Sequence, residues 1–240
     1  MTMAALPRLD PIGRSSADPA ALVLVLHGGR ANSTESGEPK RLAYRRMLPF
    51  ATMLARRPEL DVQLLRYRVR GWNAPRKDAQ LDAEWGITEL AKRHPGRPVV
   101  LVGHSMGGRA ALGAAGAPEV TAVCALAPWL DGSDPVEQLA DRSVLIAHGD
   151  RERWTSPRAS YDYALRAAAV TDRIARFDIH GAGHFMITRS ADWHGLVRRF
   201  VMGVTGLEPE DRDIANAMRQ PAPGGLRVAL AAGRRPGADP

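Results

Sequence analysis

Six short apolar runs punctuate the chain, each followed by glycine, proline or polar residues. The first, Ala21–Leu26, reads ALVLVL and does not alternate. Continuous apolarity over strand length predicts a central parallel strand covered on both faces. Asp61–Tyr67, Val99–Val102, Val120–Leu126, Ser143–Ala147 and Ile174–Ile179 are the others. The last alternates, as a strand near a sheet edge does. Between them lie stretches of helical period. Arg41–Arg57 carries Leu42, Leu48, Met53 and Leu54, with Pro49 as a possible break or kink. Asp78–Arg93 carries Leu81, Trp85, Ile87 and Leu90 and is closed by His94-Pro95-Gly96. Met106–Ala115 is rich in small residues, and Pro157–Ala169 has proline in its first turn. Ser190–Val204 spaces Trp193, Leu196, Val197, Phe200 and Val201 on one face. Strands alternating with helices predict an α/β fold, a doubly wound, mostly parallel sheet of about six strands with helices on both faces. Ligands bind such sheets at the carboxyl ends of the strands.

The flanks differ in character. Residues 1–20 contain Pro7, Pro11, Gly13 and Pro19 and read as an irregular lead-in. Residues 21–206 form the predicted domain. In 207–240, Glu208–Arg219 is a candidate short charged helix, and the Pro/Gly/Ala/Arg-rich remainder is expected to be disordered. At 240 residues the chain suits one α/β domain with a generous core. No apolar run approaches ~18 residues, so no membrane span is expected. The first residues lack a basic segment followed by an apolar one, and Cys124 is the only cysteine. A cytoplasmic location is the expectation, with Cys124 a buried small apolar residue.

Charge changes the picture little. The formal net charge is +7. Lys40 to Lys77 holds eleven basic residues against Glu59 and Asp61. No nucleic-acid module or interleaved aromatic pattern accompanies them, so a solvated face is expected, with neither nucleic acid nor stable membrane association.

Chemistry concentrates at the predicted strand ends. Gly103-His104-Ser105-Met106-Gly107-Gly108 lies between a strand and a helix. Gly-x-Ser-x-Gly in that setting is a nucleophile elbow, a tight turn that lifts the serine hydroxyl above the sheet and aims a helix N-terminus at it. Acyl transfer by serine further needs a base, an acid that orients it, and donors for the oxyanion. His184 follows a strand in a Gly-Ala-Gly-His turn. The preceding strand ends in Gly149-Asp150-Arg151-Glu152, which offers the acid. His27, His104 and His148 read as packing and hydrogen-bonding residues at neighbouring strand ends. His180 and His184 sit four apart without an acidic third ligand, so neither a metal nor any other cofactor is expected.

Together His27-Gly28-Gly29, residues 103–108, His148–Glu152 and Gly181-Ala182-Gly183-His184-Phe185 resemble the α/β-hydrolase superfamily over about residues 20–204. The resemblance implies Ser105 as nucleophile and His184 as general base. It implies oxyanion donors in the backbone N–H of Met106 and of Gly29 or Arg30. The family's acid usually stands three residues after the glycine, where this chain has Glu152 in place of aspartate. Asp150 is the competing candidate.

Trp72, Trp129 and Trp154 each fall just past a different strand and are expected to line an apolar substrate pocket. Only about sixteen residues, Ala127 to Arg142, join the two strands between which lidded relatives insert a cap, so no large cap is expected. The leading functional reading is a serine hydrolase cleaving a small-molecule carboxylic ester or thioester through an acyl-enzyme. Same-fold alternatives are a cofactor-free perhydrolase or haloperoxidase-like activity and acyl transfer. A non-catalytic binding protein on this fold is the alternative of a different class.

Overall fold

The computed structural model describes residues 6–38 and 40–230. Its centre is an eight-stranded sheet in the order β1-β3-β2-β4-β5-β6-β7-β8. The strands are β1 (Arg8–Pro11), β2 (Ala21–Leu26), β3 (Leu60–Arg66), β4 (Val99–His104), β5 (Val120–Leu126), β6 (Ser143–Gly149), β7 (Ile174–Ile179) and β8 (Val228–Ala229). β1 runs antiparallel to β3, and every other neighbouring pair is parallel.

The helices are α1 (Leu42–Leu54), α2 (Asp78–Arg93), α3 (Met106–Gly113), α4 (Pro157–Ala167), α5 (Ser190–Val204) and α6 (Arg212–Arg219). They divide between the two faces. Val23, Val25, Val100 and Val102 join one core with Met47 and Phe50 of α1, Trp193 and Phe200 of α5 and Ile214 of α6. Leu22, Leu24, Leu26 and Leu101 face the other way, against Ala83 and Ile87 of α2, Ala110 of α3 and Tyr163 of α4. Successive strand residues point to opposite faces, so both faces of β2 are dry and its sequence is apolar throughout. Pro49 is accommodated inside α1.

The sheet has two strands more than the expected six. Arg8–Pro11, expected to be irregular, pairs along Arg66 to Gln63 and is held by Asp10, which accepts from Tyr44 at 2.7 Å and from Arg66 at 2.6 Å. At the other end β8 adds two residues beside Phe177 and Asp178, so β7 is not the edge. A four-residue strand ending in proline and a two-residue strand carry no periodicity to detect. Residues 1–5 and 231–240, parts of the expected lead-in and tail, lie outside the described residues. No helix among the described residues is long and apolar enough to cross a membrane.

The strand order reverses direction between β2 and β4. Leu26 pairs with Gly103 there, so the loops that follow the two strands emerge side by side. Gly149 and Ile179 pair likewise at the ends of β6 and β7. All four predicted motifs therefore open onto one rim, the place where such sheets bind ligands. The connection from β5 to β6 contains only a 3-10 turn, Glu137–Leu139.

Candidate active site

Ser105 sits between β4 and α3 with φ 56° and ψ −119°. A non-glycine residue held there is strained, and its surroundings must over-determine it. Its N–H donates to the Leu126 carbonyl at 3.0 Å, and its carbonyl accepts from Arg109 and Trp129, each at 3.1 Å. The hydroxyl makes no capping bond to α3. The turn demands glycine at two flanking positions. A Cβ on Gly103 would meet the Gly107 carbonyl oxygen at 2.2 Å, and one on Gly107 would meet that of Leu26 at 2.4 Å.

His184 is buried, and its Nδ1 lies 2.7 Å from Glu152 Oε2. The Glu152 side chain is fully buried. Its other oxygen accepts the N–H groups of Arg153 at 2.7 Å, Trp154 at 2.5 Å and Thr155 at 3.2 Å. Burial alone would raise this carboxyl. The bonds from His184 and the amides outweigh it and bring the pKa down to about 2. The acid loop and the histidine loop are tied together, since Arg151 N–H donates to the Ala182 carbonyl at 2.9 Å. His104, which precedes the serine, has Nε2 2.9 Å from the His184 carbonyl, with ring centroids 4.7 Å apart. That contact makes Nε2 the protonated nitrogen of His104.

Asp150 does other work. It accepts the Gly181 N–H at 2.7 Å and pairs with His180, clamping the start of the histidine loop. The geometry therefore brings Glu152, and not Asp150, to the His184 ring.

On the opposite side of Ser105 lies the loop after β2. His27 Nδ1 donates to the Gly28 carbonyl at 2.7 Å. In a planar trans peptide the following N–H, that of Gly29, points the opposite way. Gly29 has no room for a side chain, because a Cβ would meet the Arg70 carbonyl oxygen at 2.3 Å and Met106 Sδ at 2.5 Å. Arg30 N–H is spent on the Arg70 carbonyl at 2.9 Å.

The tryptophans part company. Trp72 is only 2% exposed and offers almost no surface to a pocket, contrary to expectation. Arg109, on α3 one turn beyond Ser105, explains why. Its guanidinium carbon lies 4.6 Å from the Trp72 ring centre and 4.9 Å from that of Trp129, and it pairs with Asp131 and with Asp134, the latter at 2.6 Å. A buried guanidinium needs such partners, and Trp72 is one of them. Trp129 keeps some surface. Trp154 is 71% exposed and stacks over His184, with centroids 6.1 Å apart and planes at 16°. Sequence reasoning missed Arg109. Its signal was its place four residues after Ser105, one turn into the helix that follows the elbow.

This geometry has relatives. The family model described as "Alpha/beta hydrolase family" matches residues 22–238. The chain belongs to the alpha/beta hydrolase family. Among curated proteins none matches it in sequence. Solved structures of similar fold include XC6422 from Xanthomonas campestris, described as an a/b serine hydrolase without lid. That protein is 22% identical, with 85% of this chain and 90% of that one covered and a TM-score of 0.61. Est1E from Butyrivibrio proteoclasticus is 16% identical, covering 83% and 94%, with a TM-score of 0.61. A thermophilic esterase from Thermogutta terrifontis, Est2 with propionate bound, is 16% identical, covering 88% and 94%, with a TM-score of 0.63. The hydrolase fold without a cap is thus shared with a lidless structure.

Three buried histidines give this hydrolase an acid-sensitive rim. Burial lowers the pKa of His27 to about 4 and those of His104 and His148 to about 3. Above about pH 6.5 they are neutral in both folded and unfolded chains. Below it the unfolded chain binds protons that the native rim refuses, so stability falls from pH 6.5 down towards those native values. Glu152 adds its own loss only below about 4.5. Urea unfolding at pH 7, 6 and 5 is therefore expected to show a falling midpoint, well before ordinary carboxylates titrate. His148→Gln is expected to flatten the slope by about 1 kcal/mol per pH unit. A stability that stays level from pH 7 to 5 would refute this.

Proposed function

We propose that this hydrolase cleaves a carboxylic ester or thioester of a small molecule through an acyl-enzyme on Ser105. The observation that carries the reading is the Glu152–His184 contact at 2.7 Å, made by buried side chains on the rim that also holds the strained serine. A carboxylate on Nδ1 fixes the tautomer that leaves Nε2 unprotonated and stabilises the imidazolium once Nε2 takes a proton.

In the proposed reaction His184 Nε2 removes the Ser105 hydroxyl proton as the oxygen attacks the acyl carbon. Charge develops on the carbonyl oxygen, which the N–H groups of Met106 and Gly29 receive. Gly29 is preferred to Arg30 because the Arg30 N–H is already bonded to the Arg70 carbonyl. His27 acts as a positioning residue, since its bond to the Gly28 carbonyl turns the Gly29 N–H the other way. The protonated His184 then hands its proton to the leaving oxygen or sulfur. Water activated by the same nitrogen releases the acid.

Fluorophosphonate labelling tests the reading. Ser105 is expected to label stoichiometrically at neutral pH, with the adduct located by mass spectrometry of the peptide that contains it. A protein that stays unlabelled, or labels equally well as Ser105→Ala, would sink it and promote a binding role for the fold.

A further inference from the structure

Past His184 the chain turns through Phe185, Met186 and Ile187 and faces the start of α1 across a cleft of about 530 Å³. Its walls are open and mix apolar with polar side chains. Leu42 is 75% and Ile187 72% exposed, and Phe185 is half-exposed. Single exposed apolar side chains are ordinary, but here three share one concave surface. The same cleft holds two cations, Arg45 and Arg46. Arg46 lies with its guanidinium carbon 4.8 Å from the Phe185 ring centre and donates to the Phe185 carbonyl. Neither arginine meets a carboxylate among the described residues. Several other cations of the basic segment do meet carboxylates, Arg41 and Arg70 sharing Glu35, Arg66 on Asp10 and Arg57 on Glu59 and Glu208. His194 lies in the cleft too, stacked on Phe50 with ring centroids 4.0 Å apart. Its Nδ1 donates to the Ser190 carbonyl, while Nε2 has no partner among the described residues.

The cleft adjoins the candidate chemistry. The Phe185 ring centre is 5.6 Å from that of His184 and 5.5 Å from that of Trp154. We propose that this cleft receives the leaving-group side of the substrate, and that this side is an apolar arm ending in an anion, a carboxylate or a phosphate. The inference rests on the Ser105–His184 reading above. In that mechanism His184 protonates the departing oxygen or sulfur, so whatever that atom carries extends on the histidine side. Leu42, Phe185 and Ile187 cover the arm. The Arg45 and Arg46 guanidiniums meet its end, where their planar forks suit a two-oxygen anion. A concave site of this volume suits a small molecule better than a bilayer surface.

Acetate release from hexyl acetate, 6-acetoxyhexanoate and 6-acetoxyhexyl phosphate tests it. The wild type is expected to favour at least one anionic ester over the neutral one by about tenfold in kcat/KM, mainly through KM. Comparing the two anions tells carboxylate from phosphate. The preference should collapse towards unity in Arg45→Met/Arg46→Met, return in part in Arg45→Lys/Arg46→Lys, and weaken with added salt. The readout is a ratio, so a general loss of activity from a shifted Phe185 carbonyl does not imitate it. Ser105-dependent hydrolysis without anion preference, or a preference that the double methionine variant keeps, overturns the cleft and spares the serine reading. A flat ratio with Arg45- and Arg46-dependent sedimentation on phosphatidylglycerol vesicles overturns it in favour of a bilayer contact. Hydrolysis unchanged in Ser105→Ala fails the serine reading and this inference with it, whereas hydrolysis of none of the three by a protein whose Ser105 still labels with fluorophosphonate overturns the cleft alone.

Discussion

Ser105→Ala is expected to lower turnover of an activated ester, followed by release of para-nitrophenol, by on the order of 10⁵–10⁶. The magnitude is large because the serine does more than one thing. In the proposed reaction it supplies the nucleophile, receives the acyl group, and gives His184 a proton to move. Alanine at the elbow keeps the backbone bonds to Leu126, Arg109 and Trp129, so the fold should survive. Residual catalysis would come from the amides of Met106 and Gly29 and from binding, typically 10³–10⁴ over water. Groups that act as one unit are not additive. Ser105→Ala/Glu152→Gln should therefore be little worse than Ser105→Ala alone. A double variant that loses the product of the two single effects would mean that Glu152 acts independently of the serine.

Glu152→Gln is expected to cost about 10⁴ in kcat, the scale seen when a triad carboxylate becomes an amide and the histidine is held in the wrong tautomer. The structure makes the discrimination sharp. Glu152 Oε1 accepts from three backbone amides and Oε2 from His184, so every partner is a donor. An amide NH₂ would face donors at whichever end it is placed. Glu152→Asp keeps the charge but shortens the reach by one methylene, so an intermediate loss is expected. Asp150→Asn should cost less than about tenfold, because Asp150 bonds Gly181 and His180 rather than His184. Equal losses for Asp150→Asn and Glu152→Gln, measured as kcat on one ester, would remove Glu152 from its assigned role.

Much of this was legible from periodicity. β2, β5 and β7 and the helices α2 and α5 were bounded correctly, because a long apolar pattern is a statement about burial that neighbours rarely overrule. The two edge strands were not, since each owes its pairing to a partner far along the chain. The same distinction holds at the rim. Residue types and order point to Ser105 and His184, and the resemblance favours Glu152 as the acid with Asp150, two residues away, as the alternative. Only the return of the loop at 180–184 tells which of them meets the imidazole. The choice between the Gly29 and Arg30 amides was equally hidden, because it turns on the carbonyl of Arg70. Trp72 misled for a related reason. Lying past a strand end places a side chain near the mouth, but Arg109 claims it for packing, and nothing local to Trp72 announces that claim.

The short β5–β6 connection is riveted as well as short. Arg109 reaches from the elbow helix to Asp131 and Asp134 in that segment, and Ser133 holds Asp131 in turn at 2.6 Å. Grafting a lid between Trp129 and Pro135 would carry both carboxylates away and strand a buried guanidinium one turn from Ser105, a loss of about 3–5 kcal/mol. The openness of this mouth is thus a fixed inheritance of the scaffold. A covering domain would have to enter elsewhere along the rim, or arrive together with a replacement for Arg109.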